Sequence, residues 1–476
     1  MTMRPFYLAG AFKRNDKTLK IHSPYSAELV GEVSLANEED VDLAIERAVV
    51  AYQTMRIMPS YERSNVLSQM AHHLTQRAEE FSKMITLENA KPIQASRREV
   101  SRAIATLSWA AEETKRITGE IFPLDLLKGA EWRMGFYRRF PIGPISAITP
   151  FNFPLNLIIH KLAPAIAAGN PILIKPASQT PITALLIAEL VAQGLLIPGG
   201  VSVLPCDIPV AEKLVSDERI RMLTFTGSAK VGWELRRLAG KKKVTLELGG
   251  NAGVIIHQDA PFELAVERCV YGAFLYSGQT CISVQRIYAD QSLYEKFVEA
   301  MVERAKKLKS GDPMKEETDL GPMISESAAK RVEDWVNEAV AKGAKILCGG
   351  KREGSFYEAT IMTHTTAEMK INCEEVFGPI VTIEPYQDFQ QALTQINNSR
   401  YGLQAGVFTY DLRLIHLAYQ FLEVGGIMIN EIPTYRIDPM PYGGTKDSGL
   451  GREGIRYAME EMMEPKLLVV NMETQK

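Results

Sequence analysis

PILIKPASQTPITALLIAELVAQGLLIPGGVSVLP, residues 171–205, decides the fold. A short apolar run ends in lysine and proline, an apolar helical pattern runs through TALLIAELVAQG, and Gly199-Gly200 then opens a β-branched run, VSVLP. Runs of this length with these breakers read as buried strand, helix, buried strand. One helix between two such strands makes a right-handed crossover, so the strands lie parallel.

The same unit recurs on both sides. Upstream, GFYRRFPIGPISAITP has strand character and HKLAPAIAAGN reads as a helix with a Gly-Asn stop. Downstream come a helix near PVAEKLVSD, a strand in RMLTFTG, a helix from Ser228 and a strand in KVTLELGG. A second alternating region starts near Asn251 with AGVIIH, a helix through ELAVERCVYGAFLYSGQ and the strand ISVQRIYAD. Further helices, QSLYEKFVEAMVERAKKLK and ISESAAKRVEDWVNEAVAKG, then alternate with short apolar runs such as PIVTIEPY. A helix-rich entry from Glu38 to about Gly119 precedes all of this. Regular alternation predicts an α/β protein with two mostly parallel, doubly wound lobes. The chain closes on the apolar strand EPKLLVVNM. Alone it is an unpaired edge, and pairing with another subunit would cover it.

Composition narrows the function. With 54 basic and 57 acidic residues in 476, the formal charge is -3, which argues against a nucleic-acid binder. The five cysteines are scattered with no C-x-x-C pair, which fits a reducing, cytoplasmic setting without disulfides. The seven histidines form no ligand cluster, so no metal is expected. The amino-terminal residues lack a signal-type apolar stretch, and longer apolar runs are interrupted by polar residues, so no membrane is expected.

Chemistry-bearing residues stand where strands end. GQTCISVQR, residues 278–286, carries Cys281, which by itself reads as a buried apolar filler or as a nucleophile. VTLELGGN sets Glu247 at a strand's carboxyl end, the side on which doubly wound sheets build sites, although an isolated glutamate there also reads as a cap. Asn152 in TPFNFPLN offers an amide to a developing oxyanion or caps its own turn. Lys175 ends a buried strand and Ser178 stands where a helix should begin; both suit ribose or phosphate oxygens, or a solvated exit. Gly227, Ser228 and Gly232 in TFTGSAKVG occupy a strand-to-helix turn suited to a pyrophosphate, though their spacing is not G-x-G-x-x-G. EEVFGPI adds Glu375 and Phe377, and PYGGTKDSGLGREG is a Gly-rich loop.

In that order, and over essentially the whole chain, these motifs resemble the aldehyde dehydrogenase superfamily, in particular its lactaldehyde and non-phosphorylating glyceraldehyde-3-phosphate dehydrogenase branches. The resemblance implies a non-acylating enzyme. In it Cys281 attacks the aldehyde, while Asn152 and the Cys281 backbone N–H hold the oxyanion. Hydride then passes to NAD or NADP, and Glu247 activates the water that hydrolyses the thioester. Lys175 and Ser178 would face the adenosine ribose, Gly227, Ser228 and Gly232 the pyrophosphate, and Glu375 with Phe377 the nicotinamide ribose and ring. Many NAD-preferring relatives carry glutamate where this chain has Ser178, so NADP is permitted and NAD is not excluded.

The implied fold is a dinucleotide-binding domain (1–119 and 142–249), a catalytic domain (250–457) and a small β oligomerisation extension (120–141 and 458–476), assembled as a homodimer or homotetramer. For the substrate, Arg436 before the Gly-rich loop and Arg98 and Arg102 on an early helix are the candidates. Relatives acting on phosphates or phosphonates often carry arginine just before the nucleophile, where this chain has Thr280. A small hydroxylated or monoanionic aldehyde, such as lactaldehyde or a semialdehyde, is therefore expected. A CoA-acylating semialdehyde dehydrogenase and an inactive structural member are the alternatives, and Glu247 speaks against the first because acyl transfer to CoA needs no water-activating carboxylate.

Overall fold

Two mostly parallel sheets, the first with its parallel strands laid outward from its middle, carry the chain's strand ends toward one shared cleft. The computed structural model describes residues 3–473. In the first sheet the parallel strands lie in the spatial order Val201–Val203, Ile172–Lys175, Ile145–Ile148, Met222–Thr226, Lys243–Glu247. The chain starts at Ile145–Ile148, winds outward through the 172 and 201 strands, then returns to lay the 222 and 243 strands on the other side. The direction thus reverses between Ile145–Ile148 and Met222–Thr226, and a crevice opens outside the carboxyl ends of such a pair. Antiparallel strands cover both margins, Phe6–Leu8 beside Val201–Val203 and Gly449–Leu450 beside Lys243–Glu247.

The quoted stretch folds as read: Ile172–Lys175 is buried throughout, and the Pro181–Val191 helix is covered by other elements along its length except at Glu189, whose carboxylate pairs with Arg4 and Arg77. One boundary differs. Ser178 lies in an exposed turn and the helix begins at Pro181, since Pro176 cannot join a helix from within and Pro181 presets the first helical φ.

The second sheet runs Thr360–Thr363, Ile380–Tyr386, Val284–Asp290, Ala252–Ile256, Gln404–Phe408, Gly426–Ile429, all parallel, with Lys345–Cys348 antiparallel at one margin. The helix expected to continue through residue 279 stops earlier. It spans Phe262–Phe274, and Tyr276, Ser277 and Gly278 then take left-handed φ of 50, 52 and 70°. Distant contacts override the helical pattern. Tyr276 Oη donates to the Asn89 carbonyl (3.0 Å), Ser277 Oγ to the Gly321 carbonyl (2.6 Å), and a Cβ on Gly278 would collide with the Gly378 carbonyl. Two non-glycine residues in this region amount to stored backbone strain, and it sits directly before Cys281.

Helices Glu38–Met55, Ser60–Gln76, Ala78–Asn89 and Ile93–Thr114 form the expected entry. A third sheet joins Glu120–Pro123, Arg133–Pro141 and Met463–Asn471. The closing strand therefore pairs with Arg133–Pro141 of its own chain, from Met463 opposite Pro141 to Asn471 opposite Arg133. Its other margin carries no strand among the described residues, and Leu467, Leu468, Val469 and Val470 stay exposed. Residues 1, 2 and 474–476 of the expected domains lie outside the described residues. The stretch Gly449–Glu461, at the end of the 250–457 unit, returns to the first sheet: Ile455 and Met459 pack in that sheet's core.

Candidate active site

Cys281, Glu247, Asn152, Gly227, Ser228, Glu375, Phe377, Arg98, Arg102 and Arg436 line one cleft of about 470 Å³ between the sheets. Lys175, Ser178 and Gly232 do not line it. Lys175 and Ser178 lie beyond the neighbouring strand end, and Gly232 packs so closely on Leu248 that a Cβ would collide with it.

The loop after Ile145–Ile148 sets Asn152. Its Oδ1 accepts from Phe153 N–H (3.1 Å), which fixes the amide's orientation, and its Nδ2 donates to the Gln279 carbonyl (3.1 Å). One amide hydrogen remains for a ligand. The strand end at Lys243–Glu247 delivers Glu247, buried with neither carboxylate oxygen hydrogen-bonded. Burial first, and the neighbouring Glu453 second, hold its carboxyl well above the usual range. A Cβ on Gly443 would press on its oxygen, so the Gly-rich loop is glycine here for a close approach. Burial likewise pushes the Cys281 thiol up to about 11.

On the cofactor side, Ser228 Oγ caps the Ala229–Leu238 helix by accepting from Val231 N–H (3.5 Å), leaving that positive helix end at the turn. Gly227 lies over the Phe225 ring. Glu375 accepts from Gly250 N–H (3.0 Å), and burial raises its carboxyl to about 7. Phe377 has φ 46° and meets Phe151 edge-on at 6.0 Å. Lys175 is buried and among the described residues its ammonium reaches only the Pro176 carbonyl (3.0 Å), so it has donors to spare, and burial lowers its basicity. Spare donors, glycines permitting backbone approach and a helix amino terminus together fit a dinucleotide.

The arginines separate by their partners. Arg102 pairs with Asp438, and Arg436, its side chain only 6% exposed, stands 3.1 Å from Glu453 inside the cleft. Arg98 is exposed, lines the same cleft and makes no ion pair among the described residues. The sequence reading passed over several groups now in place. Lys161 donates to Glu453 (2.8 Å) and Thr224 Oγ1 (3.1 Å); burial would raise Glu453, but Lys161 and Arg436 outweigh it and bring it down to about 2. His160 stands 3.1 Å from Asp438 and burial lowers its basicity. Lys91 pairs with Glu99 in the interior and lies over the Phe153 ring (3.7 Å). Glu99 in turn accepts from Leu155 N–H (3.0 Å) and Asn156 N–H (3.1 Å), anchoring the Asn152 loop. Tyr442 and Glu453 stood inside the quoted Gly-rich segment, where only the glycines carried a signal.

The first sheet brings the Asn152 amide and the orphaned Glu247 carboxylate, and the segment before Val284–Asp290 of the second sheet brings Cys281, into the one cleft. The sequence profile described as the aldehyde dehydrogenase family matches residues 12–468, and the chain belongs to that family; it is an oxidoreductase. It is 45% identical to a 3-sulfolactaldehyde dehydrogenase of Priestia aryabhattai over 98% of each chain. Among solved structures it matches aldehyde dehydrogenase 21 of Physcomitrella patens, in complex with the reaction product succinate, at 45% identity and TM-score 0.98, covering 100% of this chain and 99% of that one. It matches the glyceraldehyde-3-phosphate dehydrogenase GapN of Methanocaldococcus jannaschii, complexed with NADP, at 37% identity and TM-score 0.92, covering 96% and 100%.

Proposed function

We propose that the protein oxidises a short aldehyde bearing a hydroxyl or a single negative charge to its carboxylic acid, with NAD or NADP as acceptor. Solved relatives carry one or the other dinucleotide. When bound, the nicotinamide supplies the hydride-accepting carbon. Everything else falls to the chain's own residues. Cys281 adds to the aldehyde carbon, and the free Asn152 amide hydrogen with the Cys281 backbone N–H takes the negative oxygen of the thiohemiacetal. After oxidation to the thioester, Glu247 removes a proton from water, whose oxygen adds to the acyl carbon and releases the acid and the thiol. Lys175, Ser178, Ser228 and Glu375 hold the dinucleotide by its hydroxyls and phosphates, and Gly227 and Gly232 let backbone and helix come close.

The substrate class rests on Arg98. Of the three candidate arginines, Arg102 and Arg436 are each neutralised by a carboxylate, while Arg98, which makes no ion pair among the described residues, offers its guanidinium to an incoming anion. Sulfolactaldehyde, glyceraldehyde-3-phosphate and succinate, named for three relatives, are anionic, and lactaldehyde, named for a relative of Methanococcus aeolicus, is hydroxylated and neutral. We also assign a cytoplasmic setting, on the five free cysteines, and a homodimer or homotetramer, on the open margin and exposed apolar residues of Met463–Asn471. The test is a panel of matched short aldehydes, neutral and anionic, run with both dinucleotides. Arg98→Ala should lower kcat/KM for the anionic members by about tenfold, the scale of a charge-assisted hydrogen bond, and leave the neutral ones unchanged. Equal losses on both would remove Arg98 from anion recognition.

A further inference from the structure

One further polar atom touches the reacting sulfur. Tyr442 Oη lies 3.2 Å from Cys281 Sγ, in a small buried cluster with Ile282 and Leu403. Tyr442 is 3% exposed, and among the described residues its hydroxyl makes no other hydrogen bond. The face of its ring is occupied: the Arg436 guanidinium carbon stands 3.6 Å from the ring centroid. Arg436 cannot swing away easily, being held by Glu453 (3.1 Å), His160 Nδ1 (3.3 Å) and Asp438 (3.6 Å).

The groups facing the sulfur come from three directions. Glu247 from the strand end and Glu375 from the loop across the cleft both oppose a thiolate. Arg436 and the Tyr442 hydroxyl, from the carboxyl-terminal segment, both favour one. A neutral thiol can donate to a phenol oxygen, but a thiolate can only accept. When the sulfur ionises, the Tyr442 O–H must therefore turn its hydrogen toward it, and it has no competing acceptor. A guanidinium over the ring draws on its π density and makes the phenol a stronger donor. A tyrosine that only walled the cleft would have no use for a hydroxyl aimed at the sulfur.

We propose that Tyr442 is a catalytic residue of the acylation half-reaction, donating its hydroxyl hydrogen bond to Cys281 Sγ as the thiolate forms, with Arg436 as the positioning residue that fixes and polarises its ring. Tyr442 keeps its own proton throughout; the thiol proton passes to solvent water. This assignment rests on the reading of Cys281 as the nucleophile.

The thiol can be read without any aldehyde. Alkylation of the intact protein by iodoacetamide at neutral pH, followed as mass gain on the peptide holding Cys281, has a rate that follows the thiolate fraction. Tyr442→Phe keeps the ring and removes the donor, so the rate should fall by about ten- to a hundredfold, the scale of a hydrogen bond to a charged acceptor. Placing 2,3-difluorotyrosine at position 442 makes the hydroxyl a stronger donor without changing its place, so at this pH the rate should rise. A wall residue would move neither, and a merely loosened cleft would move both the same way; either result overturns the proposal. Failure of the nucleophile reading would show elsewhere, as aldehyde turnover surviving Cys281→Ser.

Discussion

Replacing Glu247 by glutamine should split the reaction in two. The side chain keeps its size, and because neither carboxylate oxygen is hydrogen-bonded, no partner is orphaned. What is lost is a base. Burial and the adjacent Glu453 hold the carboxyl well above the usual range, so once ionised it is a strong proton acceptor. A positioned general base contributes about 10²–10⁴ in rate, equivalent to roughly 3–5 kcal/mol of barrier. Hydride loss from the thiohemiacetal needs no base at this position. Rapid mixing of the variant with aldehyde and dinucleotide should therefore give a burst of reduced nicotinamide near one equivalent per site. A steady state slowed by about a hundredfold or more should follow. In the parent, when thioester hydrolysis limits turnover, the rate should climb with pH as Glu247 ionises, and the variant should lose that limb. Stability carries a linked sign. A carboxyl raised in the folded state makes folding less favourable as pH rises from its unfolded value through its folded one, so the glutamine variant should gain on the parent toward higher pH in denaturant titrations. Loss of the burst with dinucleotide affinity intact would refute this reasoning and place Glu247 before acylation. A steady state within about threefold of the parent would deny it a role as base.

Cys281→Ser should abolish turnover while leaving dinucleotide affinity within a few-fold, because a hydroxyl lacks the thiol's acidity and polarisability; measurable oxidation above a few per cent of the parent's would remove Cys281 from the nucleophile role. Ser178→Glu should weaken NADP by roughly tenfold relative to NAD, since a carboxylate there would repel a 2′-phosphate. An unchanged preference in fluorescence titration would show that this exposed turn does not face the adenosine ribose. With Glu375 raised to about 7, its carboxylate is lost as pH falls, and the KM for dinucleotide should rise between about pH 8 and about pH 6. Glu375→Gln should have a higher KM that no longer varies over this range, and an undiminished slope would place the titrating group elsewhere.

Much of the architecture was legible because it is written in local signals. Ile172–Lys175 announces itself by an unbroken apolar run and Val201–Val203 by its Gly-Gly start; the alternation between them demands parallel pairing through handedness alone. Glu247 and Lys175 were traceable for the same reason: each closes such a run, and strand ends are where a doubly wound sheet presents side chains. Cys281 was harder, since its surroundings look like the end of a helix. That helix breaks only because Asn89, Gly321 and Gly378, all remote in sequence, pull Tyr276–Gly278 into left-handed backbone. The start of the Pro181–Val191 helix slipped by three residues because Ser178 has the composition of a cap but lies before the proline that sets the first turn. Least legible were the charges. Arg98, Arg102 and Arg436 look alike in sequence, and only their partners tell them apart: Asp438 for Arg102, Glu453 for Arg436, and no ion pair for Arg98 among the described residues. Tyr442 meets Cys281 across 161 positions of chain. Periodicity and turn chemistry act over a few residues, so the sequence by itself determined most of the strands, their parallel alternation with helices and the places along the chain that carry chemistry. Ion pairing, burial and hydrogen bonds to the sulfur depend on which distant surfaces are pressed together and dried, and those the tertiary structure alone decided.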